Sequence, residues 1–60
     1  MDRLIRMRKL PDIVGLKRTA IYERIAAGTF PPPVDIGGGR VAWRASDIDG
    51  WIASRETKVM

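Results

Sequence analysis

Apolar positions fall in short bursts between glycines and prolines, and the spacing inside each burst selects an element. Leu4-Ile5-Arg6-Met7 predicts one short extended strand. Leu10, Ile13 and Val14 stand at i, i+3 and i+4, the stripe of an amphipathic helix that opens at Arg8 or Lys9. Pro11 is tolerated only in a first turn, where N–H groups lack intrahelical partners, so this helix starts just before it. Gly15 stands where a left-handed residue would close the helix after less than two turns. Beyond Gly15-Leu16-Lys17 a second helix is expected from about Arg18 to Ala27, with Ile21 and Ile25 inward and Gly28 as its stop. The helical step of ~100° per residue then turns Thr19, Glu23 and Ala26 outward, flanked by Ala20 and Tyr22.

Each proline of Thr29-Phe30-Pro31-Pro32-Pro33 fixes its own φ and pushes the residue before it out of helix, so this segment is a stiff extended connector. Phe30 is expected to cover the core and Pro31 to turn the chain. Val34-Asp35-Ile36 and Val41-Ala42-Trp43 then flank Gly37-Gly38-Gly39-Arg40, which reads as a glycine-tipped β-hairpin. Ser46 is a good N-cap, Asp47 and Asp49 suit a first turn, and Ile48, Trp51 and Ile52 form a further stripe, predicting a third helix over Asp47–Ser54. Trp43 and Trp51 are core candidates, since a small domain draws much of its buried area from a few large aromatics. Arg55–Met60 has too little apolar content to dock and is expected to fray.

Two short helices across a glycine-containing turn form a helix-turn-helix, in which the second helix enters the DNA major groove. With the hairpin and last helix added, the expected fold is mainly α with a small β-hairpin: a winged helix-turn-helix with a short N-terminal strand. Sixty residues, 45% hydrophobic, leave room for one such domain over residues 1–60, its ordered core about 4–54.

Composition narrows the function. There is no Cys and no His, which removes disulfides, structural zinc and the commonest nucleophile–base pairs; no enzyme, metal, cofactor or small-molecule ligand is expected. The longest uncharged stretch, Ile25–Val34, has ten residues and three prolines, too short for a membrane span. Met1–Arg6 has no apolar signal region, so a cytoplasmic location is expected. Eleven Lys and Arg against seven Asp and Glu give +4, and the first 24 residues hold seven bases against three acids. The field therefore comes from that segment. Eight of the bases are arginine, whose planar fork suits phosphate and guanine, so a polyanion is the natural partner. Gly37-Gly38-Gly39 does not complete a phosphate loop, because the following Lys and Ser or Thr are missing and a strand follows instead of a helix.

Gly15-Leu16-Lys17-Arg18-Thr19-Ala20-Ile21-Tyr22, Gly28-Thr29-Phe30-Pro31, the run from Gly38 to Ile48 and Trp51-Ile52 together resemble the AlpA family of prophage regulators over about residues 4 to 54. That family is similar to MerR-type and excisionase-type winged helices. The resemblance implies a small cytoplasmic protein that binds double-stranded DNA and regulates prophage transcription or excision. Family members usually carry serine at the position of Lys17 and a helix former at that of Pro11.

The candidate DNA contacts are Lys17 just before the second helix, Arg18, Thr19 and Tyr22 on it, Gly38, Gly39 and Arg40 on the wing (about 34–43), and Arg44 between the wing and the third helix. Arg18 suits a bidentate guanine contact or a phosphate clamp, and Thr19 a phosphate or a thymine methyl. Tyr22 can donate to a phosphate while its ring covers the core edge. Glu23 is expected to form a solvated ion pair with Arg24 or Lys17. Without side chains the wing tip can approach the backbone, with Arg40 on a phosphate or in a narrow minor groove. One module offers about 600–1,000 Å² of interface, so self-association or tandem copies on DNA are expected. An excisionase that bends DNA, and a module docking on an integrase or repressor, are the alternatives.

Overall fold

In the computed structural model, which describes residues 2–57, the order is β1 (Leu4–Ile5), α1 (Leu10–Val14), α2 (Arg18–Ala26), β2 (Val34–Gly37), β3 (Arg40–Arg44) and α3 (Ala45–Ala53). Three helices and a three-stranded antiparallel sheet make a winged helix-turn-helix fold.

The first strand is shorter than the apolar run because the Arg6 carbonyl accepts from the N–H groups of Lys9 and Leu10, at 3.0 and 3.1 Å. The chain turns there, and α1 starts at Leu10 instead of Arg8 or Lys9. Pro11 occupies the first turn, and Gly15, at φ +74°, closes the helix by donating to the Pro11 carbonyl at 2.8 Å. Five helical residues are too few to bury the whole expected stripe: Leu10 is fully buried and Val14 packs on the core, but Ile13 stays 41% exposed. The second helix ends at Ala26, one residue early, with Ala27 as C-cap. Lys17 is its N-cap, extended at ψ 159° with no side-chain capping bond.

The hairpin turns through Gly38 and Gly39, at φ +63° and +71°, the positive values that a two-residue turn matching strand twist requires. A register irregularity lies between Asp35 and Gly37, where Asp35 Oδ1 accepts the Gly37 N–H at 2.8 Å. The outer edge of β3 is covered by β1, giving the order β1-β3-β2 with Leu4 opposite Arg44 and Ile5 opposite Trp43.

Trp43, Leu10, Ile21 and Ile48 are fully buried, with Ile5, Met7 and Phe30 completing the core between sheet and helices. Both indole N–H groups are spent on the proline-rich connector: Trp43 donates to the Pro31 carbonyl at 2.9 Å and Trp51 to the Thr29 carbonyl at 3.1 Å. Phe30 is core, as expected, and contacts Trp51 at 5.0 Å between ring centroids. Trp51 is only half-buried, at the rim of the core and not inside it as its stripe predicts. Arg55, just beyond α3, packs back on the helix: its guanidinium lies 4.7 Å over the Trp51 ring and its Nε donates to the Trp51 carbonyl at 3.3 Å. Of the rest of the expected tail, Glu56 and Thr57 are in neither helix nor strand, and Lys58 to Met60 lie outside the described residues.

The start of α3 departs most from expectation. The helix follows β3 directly, so Ser46 sits inside its first turn and is not the N-cap; Arg44 is. The exposed N–H groups are met from the other end of the chain. The Ala45 N–H donates to the Arg3 carbonyl at 2.7 Å and the Ser46 N–H to Asp2 Oδ1 at 3.0 Å, while the Ser46 hydroxyl donates to Asp2 Oδ2 at 2.6 Å. Those bonds from Ser46 hold the Asp2 carboxyl below its ordinary pKa. Asp47 remains in the first turn, but the earlier start moves Asp49 beyond it.

Candidate nucleic-acid interface

The exposed face of α2 carries the residues that helical periodicity turns outward. Thr19, Glu23 and Ala26 are exposed, Tyr22 is 48% exposed and Ala20 is half-buried, because Ile21 and Ile25 face the core. Lys17 and Arg18, at the N-terminal end of the same helix, are exposed as well. Glu23 does not form the expected ion pair with Arg24 or Lys17; among the described residues the ion pair is Arg44–Asp47, at 4.0 Å. That pair and the register opposite Leu4 put Arg44 at the end of β3 away from the hairpin tip. Gly38, Gly39 and Arg40 are exposed at the tip itself.

Arg18 and Arg40 come together in one place. Both line a cleft of about 650 Å³ that is also lined by Gly39 of the wing tip and by Arg3, Arg6, Arg8 and Lys9. Lys17, Thr19, Tyr22, Gly38 and Arg44 do not line it. No local pattern singles out the four N-terminal bases, although the excess of positive charge in the first 24 residues points to their segment. Six of the eleven lining residues are basic and none is acidic, so the field is concentrated here: the other five Lys and Arg share the chain with all seven Asp and Glu. An electropositive concavity of this kind attracts polyanions and focuses them on its walls. Among the described residues no group of three or more Asp and Glu is placed to hold a metal ion, and no helix is long and apolar enough to cross a membrane.

Residues 3–56 match the model of the prophage CP4-57 regulatory protein (AlpA) family. The chain belongs to that family. This AlpA-family chain is also 43% identical over 54 residues to an uncharacterized protein, ORF88, of Enterobacteria phage P4. The aligned region spans 90% of the chain and 61% of that relative. No solved structure matches it. The family is a regulatory one of prophage origin.

Proposed function

We propose that the chain binds duplex DNA sequence-specifically as a prophage regulator, with α2 in the major groove and the β2–β3 wing on the adjacent backbone or in the minor groove. The observation that carries this reading is the joint cleft: the first residue of α2 and the first residue of β3 border one concavity whose charged side chains are all basic. A helix and a wing used on one duplex need that juxtaposition, and a merely solubilising surface would spread its charge. Lys17, Arg18, Thr19 and Tyr22 contact DNA from the helix, and Gly38, Gly39 and Arg40 from the wing. Arg44, held to Asp47 and distant from the tip, is the outermost contact. Copies bind side by side on repeated sites, because one module of this size offers about half a typical specific interface.

The test is a titration of duplex DNA flanking the gene against a scrambled duplex, at several salt concentrations. Three to six phosphate contacts predict a log–log salt slope of about −3 to −5. Arg40→Ala should reduce that slope by about one unit on both duplexes, or weaken A·T-rich flanks most if Arg40 enters the minor groove. A flat salt response removes the reading in favour of a protein-docking module.

A further inference from the structure

We infer that the turn between β1 and α1 forms, with Arg18 and Arg40, a seat for the DNA sugar–phosphate backbone, so that Arg18 clamps phosphate and does not read a base. The inference rests on the duplex-DNA reading and adds to it a third contacting element besides helix and wing. Arg3, Arg6, Arg8 and Lys9 belong neither to α2 nor to the hairpin, yet they line the same cleft as Arg18 and Arg40. The fold fixes the place of Arg6 and Arg8: Ile5 and Met7, which alternate with them, are buried, and the Arg6 carbonyl is tied into the turn. None of the six cleft bases has an ion-pair partner among the described residues.

Gathering like charges without an internal counterion destabilises the compact state, and an anion lying between them relieves it. The volume of about 650 Å³ is that of a pocket for a drug-sized ligand, which suits a short run of sugar–phosphate better than one small ion. Arg18, at the first position of α2, lines this cleft, and in the proposed seat it is spent on phosphate. Base reading then falls to Thr19, Tyr22 and Glu23 along the exposed face of α2. Because the seat touches both the helix start and the wing, it also sets the register between them on the duplex.

Arg6→Ala, Arg8→Ala and Arg18→Ala, with Arg24→Ala as an exposed base outside the cleft, separate the possibilities. Each cleft variant should weaken target and scrambled duplexes by the same factor, about tenfold, and lower the salt slope by about one unit. Arg24→Ala should leave the slope unchanged. Circular dichroism should show every variant folded, since all four side chains are exposed. Duplexes carrying a single neutral methylphosphonate, stepped along each strand, locate the seat: at one position the parent's affinity falls to that of Arg8→Ala, and the variant loses nothing more. If Arg18→Ala relaxes preference at one base pair with its salt slope unchanged, the seat is wrong and the DNA reading stands. The seat is equally wrong if Arg6→Ala and Arg8→Ala bind like the parent, or if Arg24→Ala is as damaging as they are. If the parent binds no duplex in a salt-dependent way, the DNA reading itself fails and the seat falls with it.

Discussion

Two tryptophans that look equivalent in the sequence differ in what their loss removes. Trp43 is fully buried and its N–H satisfies the Pro31 carbonyl, so Trp43→Ala leaves a cavity and an unpaired acceptor. Losing a buried tryptophan costs about 3–5 kcal/mol, against a total of about 3–9 kcal/mol for a chain of this size, so this variant should be largely unfolded by thermal melt at moderate temperature. Trp51 is half-buried between Phe30 and Arg55, and Trp51→Ala should cost only about 1–2 kcal/mol and keep a cooperative melt. Asp2 makes a pH-dependent contribution. Its folded pKa is depressed by the Ser46 hydrogen bonds, so between that value and its ordinary value the unfolded chain binds more protons. The contribution is complete above about pH 4 and lost as pH falls through the folded value. Asp2→Ala should therefore melt lower than the parent at pH 7, and the gap should close on acidification; a gap of constant size down to about pH 2 would contradict the Asp2–Ser46 contact.

At the level of elements, glycines of opposite character predict effects of opposite sign. Gly38 turns the hairpin at φ +63° with nothing within 4 Å of where a Cβ would stand, so Gly38→Ala meets backbone strain and no clash. It should destabilise by about 1–2 kcal/mol. Gly50 lies inside α3 without a positive φ and also has nothing within 4 Å, so Gly50→Ala should stabilise by about 0.5–1 kcal/mol through the lower entropy of the unfolded chain. Paired melts of the two variants check both signs. The two glycines also mark what is legible in the sequence. The turn, the helix-turn-helix and the wing follow from local chemistry, from Gly15 and Pro11 around α1 and from three glycines between two apolar runs. The start of α3 does not follow, because Ser46 satisfies every local rule for an N-cap while its N–H partners come from Asp2 and Arg3, at the far end of the chain. The early end of β1 is hidden for a related reason: Leu4-Ile5-Arg6-Met7 has the pattern of a strand throughout, and only the turn that engages the Arg6 carbonyl cuts it short.

For the molecule as a whole, charge placement carries the functional argument, and it is only half visible along the chain. Helical periodicity puts Thr19 and Tyr22 on the open face of α2, and the first 24 residues carry an excess of base. That Arg3, Arg6, Arg8, Lys9 and Arg18 line one cleft with Arg40 depends on the hairpin folding back beside the N-terminal segment, a juxtaposition of distant parts of the chain that no local pattern encodes. The basic cleft couples stability to anions, because a ligand that binds only the folded state stabilises it by RT ln(1 + [L]/Kd). Duplex DNA at about a hundred times its Kd should add about 2.7 kcal/mol, which raises the melting temperature of so small a chain by about 10 °C or more. At the same duplex concentration the shift should shrink in Arg8→Ala and Arg18→Ala, whose unliganded melts stay close to the parent's because both side chains are exposed. Raising monovalent salt should erase the shift before it affects the free protein, since the salt competes with phosphate for the cleft and leaves the apolar core intact. A shift that survives high salt, or that is the same in the two arginine variants as in the parent, would place the DNA-stabilised surface away from the cleft.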